Sequence, residues 1–153
     1  MYRIFKIVLD SQITIPELSW VTDSQEMDIY TFSLLDDKIS DVSNVDWFHH
    51  WYDSNDEIIL SAARCDSGYW LRFPQLMDFE INLEEQTINA YRQTCISDST
   101  VRHLLLDQVI PRLLGQQGKF ILHAGAVTLA DGKTVAFIGQ SGWGKSTLVS
   151  SFQ

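Results

Sequence analysis

The chain has 153 residues, of which 45% are hydrophobic and 20% are charged, with 8 glycines and 3 prolines. This composition supplies enough apolar side chains for a core, and it excludes a disordered chain, a collagen-like repeat and a disulfide scaffold. No apolar run reaches the roughly 18 residues of a membrane-spanning helix, and the first residues lack a secretory signal pattern. Cys65 and Cys95 lie far apart and outside any CxxC pair, as is typical of a reducing compartment. We therefore predict a cytoplasmic protein without a membrane span.

The net charge of −9 is distributed unevenly along the chain. Residues 1–100 contain 6 basic and 18 acidic side chains, whereas residues 101–153 contain 5 basic and 2 acidic ones. Because an acidic surface repels phosphate backbones, we expect no broad binding to nucleic acid. The asymmetry is compatible with two parts that have different tasks, and also with a solvated acidic face that has no specific partner.

The first part of the chain has the pattern of a series of short strands. Residues 77–83 alternate apolar and polar side chains, as a strand with one buried face does. Strands that follow one another so closely favour an antiparallel sheet over βαβ units. The predicted strands cover residues 2–9 with an extension to 15, 29–35, 57–64, 69–73, 77–83 and 87–92.

A helical period begins after residue 97. Ser97 and Thr100 offer N-cap oxygens, and apolar residues recur at helical spacing over residues 101–113. Pro111 should kink or interrupt this helix, because its ring removes a donor and clashes with the preceding turn. The glycine-containing segment 115–118 should end it.

Two further strand-like runs, residues 120–128 and 134–138, are joined by Asp131-Gly132, a tight-turn signal that predicts a hairpin. The second run leads into Gly139-Gln-Ser-Gly-Trp-Gly144-Lys145-Ser146, which matches the phosphate-loop pattern GxxxxGK[ST] at every fixed position. A helical run follows at residues 146–150. The motif and its context together predict nucleotide binding.

Each residue type of this loop has a role in binding phosphate. Gly139, Gly142 and Gly144 allow backbone conformations that turn consecutive N–H groups toward a phosphate, and the positive end of the following helix adds to the attraction. We expect Lys145 to reach the β and γ phosphates of ATP, and the Ser146 hydroxyl to ligate Mg²⁺. The predicted nucleotide-binding set also contains Gln140, Ser141, Trp143 and Thr147.

The loop leaves alternatives open. Trp143 is bulky for its position, and its ring either packs over a bound nucleotide or points outward as a variable side chain. A chance glycine-rich turn would also fit the letters, although the flanking strand and helix match the context of the motif. The string SGxGKSTL is shared with transporter-type ATPases, so the loop does not by itself decide the class of protein.

The segment that precedes the loop favours one class of P-loop protein over the others. Leu122-His-Ala-Gly-Ala-Val127, followed by a hairpin and the loop, resembles the HPr kinase/phosphorylase family, in which a histidine-containing strand and a short hairpin run into the phosphate loop. Ile15-Pro-Glu-Leu18, the β-rich leader and the helix resemble HPr-kinase-related proteins found with peptide-modification systems. Bacterial HPr kinases usually carry Glu at the position of Thr147. In this respect the chain resembles the HPr-kinase-related proteins more than the bacterial HPr kinases. The specific similarity covers only residues 120–148.

The resemblance implies a kinase that moves the γ-phosphoryl group of ATP to a serine or similar hydroxyl on a protein or peptide. ATP and Mg²⁺ are the implied cofactors, and a protein or peptide phosphoacceptor is the implied partner. It also implies that His123 lies near the loop and assists proton transfer or orders the phosphate site. A satisfied histidine on a buried strand fits His123 equally well.

The expected fold class is α+β to α/β. Residues 1–97 would form a β-rich N-terminal domain, residues 98–118 a linking helix, and residues 119–153 the hairpin, loop and first helix of an HPr-kinase-like core. Because little sequence follows the loop, we expect a truncated core without the downstream carboxylates, and weak or absent kinase activity from these residues alone. An unpaired strand beside the loop would also favour self-association.

Two other function classes remain open: a fragment of a transporter-type or other P-loop ATPase, and a non-catalytic module whose β-rich part binds a partner peptide. The aromatic segment 47–53 is relevant to the peptide-binding module. On a helix, Trp47 and Trp51 would share a face, either as a docking patch or as part of a core. His49 and Asp53, four residues apart, would then permit a pair of metal ligands.

Overall fold

The computed structural model describes residues 1–22, 27–36, 45–93, 95–140 and 142–152. They belong to two compact units, Met1–Val109 and Ile110–Gln153. The boundary falls inside the run that the sequence predicted as a linking helix.

The first unit contains a mixed β-sheet. Its strands within the described residues are β1 (Tyr2–Ile4), β2 (Ile7–Ser11), β3 (Ser19–Trp20), β4 (Asp28–Asp36), β5 (Asp46–Tyr52), β6 (Ile58–Cys65), β7 (Gly68–Phe73), β8 (Met77–Asn82) and β9 (Thr87–Arg92). They lie in the order β3-β1-β2-β4-β9-β8-β7-β6-β5. The antiparallel prediction is confirmed for the meander from β5 to β9. It is wrong for β4, which runs parallel to both β2 and β9.

The predicted strand over residues 2–9 consists of two strands. The chain reverses at Phe5, which has a φ of 54°, so that Tyr2 pairs with Leu9 and Ile4 with Ile7. Because neither Phe5 nor Lys6 is a typical turn residue, the sequence contains no local signal of this hairpin.

The aromatic segment is the strand β5, so the helical face considered for it does not exist. Neighbouring side chains of a strand point to opposite faces, and the register of β5 shifts between Trp47 and His49. Asp53 lies in the turn that follows, where its carboxylate accepts hydrogen bonds from the backbone N–H groups of Glu57 and Asn55. These bonds lower the pKa of Asp53. Among the described residues, no group of three or more side chains is arranged to hold a metal ion.

The core of the first unit includes side chains on both faces of the sheet, since the consecutive residues Ile7, Val8 and Leu9 of β2 are all buried. Met77, Phe79 and Ile81 of β8 are buried and alternate with less buried polar residues, which confirms the predicted alternation. Their cross-strand partners Ile88 and Ala90 are fully buried as well. Buried side chains of the helical residues in the same unit complete this core: Val101, Leu104, Leu105 and Val109.

Asp78 is the exception to the alternation, since it is 3% exposed on the opposite face. The Arg72 guanidinium donates two parallel hydrogen bonds to its carboxylate, and the Nη2–Oδ2 distance is 2.8 Å. The hydrogen bond to Asp78 raises the pKa of Arg72. The same guanidinium lies 5.0 Å from the ring centroid of Trp47, so the buried charge is both paired and covered.

The predicted helical run contains α1 (Asp98–Leu104), a π-helical segment (Leu105–Val109) and α2 (Ile110–Gln116). The Ser97 hydroxyl accepts the N–H of Thr100 at 3.2 Å, which confirms the predicted cap. The π-helical segment ends two residues before Pro111, and the regular hydrogen-bond ladder has to change near this residue because proline has no N–H. The predicted interruption is therefore confirmed.

A Schellman motif ends α2, as the glycine-containing segment predicted. Gly118 has a φ of 74°, its N–H donates to the Gly115 carbonyl, and the N–H of Lys119 donates to the Leu114 carbonyl, both at 3.0 Å. The second unit continues with the antiparallel hairpin of β10 (Ala124–Thr128) and β11 (Thr134–Ile138), followed by α3 (Lys145–Ser150). The predicted hairpin is confirmed, but its first strand is shorter than the predicted run over residues 120–128, since residues 120–123 are not part of a strand.

The predicted α+β to α/β class, with the start of an HPr-kinase-like P-loop core, is wrong. The described residues are dominated by strands, and the strand that leads into the loop, β11, pairs antiparallel with β10 in a two-stranded sheet of its own. The parallel pairs belong to β2, β4 and β9 in the other unit. The error arose because a short motif was extended to a whole core, while pairing depends on residues far from the motif.

Candidate functional site

The loop with the phosphate-binding pattern connects β11 to α3. Ala124 pairs with Ile138 at the end of the hairpin. His123 and Gly139 therefore both lie at this end, one residue beyond the last pair. The predicted order of strand, loop and helix is present here, as β11, the loop and α3. The loop begins at the same end of the hairpin at which His123 precedes β10.

Two glycines set the path of the loop. Gly142 and Gly144 have φ values of 83° and 75°, a left-handed conformation that costs glycine little and residues with a Cβ more. Gly144 is also the N-cap of α3, and its carbonyl accepts the N–H of Leu148 at 2.8 Å. The backbone conformation predicted for the loop glycines is therefore present at Gly142 and Gly144, but Gly139 does not have a left-handed backbone.

Gly125 of β10, which lies outside the phosphate-loop motif, positions α3. A Cβ atom at this residue would lie 2.8 Å from Cγ2 of Val149 and 3.1 Å from the carbonyl oxygen of Lys145. Only a residue without a side chain lets the first turn of α3 approach the hairpin this closely. A glycine inside a strand pattern was the available signal.

The Lys145 side chain folds back over the loop. Its Nζ donates hydrogen bonds of 2.9 Å to the carbonyl oxygens of Gly139 and Gln140. Among the described residues, no carboxylate forms an ion pair with this ammonium group. Its charge is thus held at the loop by neutral oxygens, which an anion can replace.

The remaining predicted site residues differ in their environment. Ser146 and Thr147, in the first turn of α3, are exposed, so the Ser146 hydroxyl is open to a metal ion that arrives with a nucleotide. Gln140 is exposed, and its carbonyl also accepts the N–H of Trp143 at 3.3 Å. Ser141 lies outside the described residues. His123 is exposed immediately before β10, so it is not the buried strand histidine considered as its alternative.

Positive charge predominates around the loop in the sequence. Residues 110–153 contain four basic side chains and one acidic side chain, Asp131. Asp131 lies in the hairpin turn, where Lys133 Nζ is 2.8 Å from its carboxylate and lowers its pKa. The turn and the loop are separated by the length of β11, roughly 15 Å for a five-residue strand. Asp131 is therefore too far from the loop to bind a metal ion there.

No protein-family model, curated protein or solved structure matches this chain. The likeness of residues 120–148 to the HPr kinase group consequently rests on the sequence motifs. Within the described residues, no helix has both the length and the apolar character needed to cross a membrane.

Proposed function

We propose that the chain binds the phosphate groups of ATP, with Mg²⁺, through residues 139–147. The main support is the agreement between a complete phosphate-loop motif and the backbone that carries it. Gly142 and Gly144 have left-handed backbones, and the Lys145 ammonium lies on the carbonyls of the same loop. A glycine-rich turn without a phosphate-binding role would not require a lysine ammonium at this place.

On nucleotide binding, the Lys145 ammonium would exchange its hydrogen bonds to loop carbonyls for hydrogen bonds to phosphate oxygens. An arriving phosphate oxygen is a stronger acceptor than a peptide carbonyl, because the resulting hydrogen bond joins two full charges. Backbone N–H groups of the loop would add neutral donors. The exposed Ser146 hydroxyl would provide one protein ligand to Mg²⁺, whose remaining ligands would be phosphate oxygens and water.

On the resemblance to the HPr kinase group, we propose phosphoryl transfer to a protein or peptide hydroxyl as the reaction that this site serves. His123, at the hairpin end where the loop begins, is the candidate for handling the proton or ordering the phosphates. Such transfer also needs a carboxylate for Mg²⁺ and for the acceptor. Since Asp131 is the single acidic residue of residues 110–153 and is paired with Lys133, a carboxylate from outside this range is required.

The test is calorimetric titration of the full chain with Mg-ATP. We expect saturable binding that Lys145→Ala abolishes. Lys133→Ala is the matched control, since it removes the same charge from the other end of the hairpin, and it should leave affinity nearly unchanged. Equal losses in both variants would indicate unspecific attraction, and a folded chain that does not bind Mg-ATP would contradict the proposal.

A phosphotransfer assay separates binding from reaction. With radiolabelled ATP and a serine-containing acceptor protein, we expect this chain to bind nucleotide and to transfer little or no phosphate. Rapid transfer by the purified chain, lost in Lys145→Ala, would show that a carboxylate outside residues 110–153 already serves the site.

A further inference from the structure

Trp143 is an aromatic side chain held in the open within the phosphate loop. It is 73% exposed, and it stands between Gly142 and Gly144, which both have left-handed backbones. Single exposed apolar residues are common on protein surfaces. Trp143 differs from such residues because it lies within the loop that would surround the phosphates of a nucleotide.

The indole and the Lys145 ammonium meet at the same loop residue, Gly139. A Cβ atom on Gly139 would lie 3.5 Å from Cε3 of Trp143, so the ring lies on the side of Gly139 where a side chain would stand. Lys145 Nζ is 2.9 Å from the Gly139 carbonyl oxygen. A polyphosphate attracted to the lysine would therefore arrive beside the aromatic ring.

We propose that Trp143 stacks on the base of the nucleotide whose phosphates the loop binds, and so selects nucleoside polyphosphates over inorganic ones. The proposal rests on the proposed function of the loop. An exposed indole offers a large flat surface, and stacking of a base on an aromatic side chain replaces water on both partners. Because every base has a π-face, the contact would accept ATP and GTP alike.

The experiment is calorimetric titration of the full chain with Mg-ATP, Mg-GTP and Mg-tripolyphosphate. We expect Trp143→Ala to weaken both nucleotides by about tenfold or more, the lower range for loss of a stacked aromatic, and to weaken tripolyphosphate much less than either nucleotide. Trp143→Phe should restore most of the nucleotide affinity. Trp20→Ala is the matched control, because Trp20 is 64% exposed in the first unit, and it should change none of the three affinities.

The outcomes separate this proposal from the one on which it rests. If wild type binds neither nucleotide nor tripolyphosphate, both proposals are wrong. If Mg-ATP and tripolyphosphate bind and Trp143→Ala weakens neither, phosphate binding stands and base stacking is wrong. If Trp143→Ala weakens both ligands equally, the tryptophan shapes the loop instead of contacting the base, which also overturns the stacking proposal.

Discussion

The two units make different use of similar apolar strand sequences. In the sheet of the first unit, Phe32, Phe79 and Ile88 are completely buried. In the second unit, none of the described residues from 115 to 152 is buried, and Ile138 at the end of β11 is 68% exposed. An apolar pattern thus predicts that a strand forms, but burial depends on how many neighbours and layers that strand obtains.

The difference extends to charged groups. In the first unit, the buried Asp78 carboxylate is paired with Arg72, whereas Lys145 in the second unit is held by two carbonyl oxygens of its own loop. Buried, fully paired groups are costly to rearrange, while a group on exposed loop carbonyls changes partners easily. The first unit thus holds its charged pair within a packed sheet, whereas the proposed ligand chemistry depends on an exchangeable contact in the second unit.

The largest expected effect concerns the core. Phe79→Ala should lower the free energy of unfolding by about 3–5 kcal/mol, because it leaves a cavity at a fully buried site. Ile138→Ala, at an exposed strand position, should change it by less than about 0.5 kcal/mol. Urea denaturation followed by circular dichroism measures both. Similar losses from the two variants would contradict the contrast between the units.

Two glycine variants probe close backbone approaches. A Cβ at Gly68 would lie 1.9 Å from the Ile81 carbonyl oxygen, so Gly68→Ala should destabilise the sheet by roughly 1–3 kcal/mol or more. Gly125→Ala should mainly weaken Mg-ATP binding, because it displaces the start of α3. Gly115→Ala, with no neighbouring atom in the way, is the control and should be stabilising by about 0.5–1 kcal/mol. Unaltered nucleotide affinity in Gly125→Ala would refute its positioning role.

The buried ion pair should contribute less than the core. Asp78→Asn keeps the shape of the side chain but leaves the Arg72 charge without its anion. Since Arg72 is 31% exposed and water can solvate part of it, we expect a loss of roughly 1–3 kcal/mol. Asp131→Asn, at the exposed pair with Lys133, should have a much smaller effect, because water already solvates both groups. Equal effects in thermal unfolding would show that burial does not distinguish these pairs.

The smallest expected effect is a change in one titration. The Lys133 ammonium is the main reason that the pKa of Asp131 lies below its usual range. Above the ordinary pKa of aspartate the pair favours the folded hairpin, and this contribution is lost as the pH falls through the lowered pKa. Lys133→Met should raise the pKa of Asp131 in a carboxyl NMR titration. Asp53, whose pKa is lowered by backbone N–H groups, should titrate unchanged. An unchanged pKa of Asp131 in Lys133→Met would contradict this assignment.

Local patterns predicted much of the fold. The alternation that marks β8, the Ser97 cap and the Asp131-Gly132 turn all depend on neighbouring residues, and each is present. The parallel pairing of β4 with β9 was missed because the paired residues lie 56 positions apart in the chain, from Thr31 to Thr87, and alternation carries no information about such partners. The turn at Phe5 was missed because a phenylalanine rarely takes a positive φ.

Like the fold, the candidate site could be predicted only where its geometry depends on residues that are neighbours in the sequence. The motif indicated the positions of Gly142, Gly144 and Lys145, whose conformations are set within a few residues. It could not indicate Gly125, because the need for a glycine there comes from the packing of α3 on a strand that precedes the loop. The extension from motif to an α/β core failed for the same reason, since strand pairing is decided over longer distances.

The most direct test of the account is the two-dimensional amide NMR spectrum of the full chain during titration with Mg-ATP. The account predicts saturable shifts of the amide signals of residues 139–147, with the signals of the sheet core around Phe79 unchanged. Saturable shifts confined to the first unit, or none in residues 139–147, would contradict the assignment of nucleotide binding to this loop.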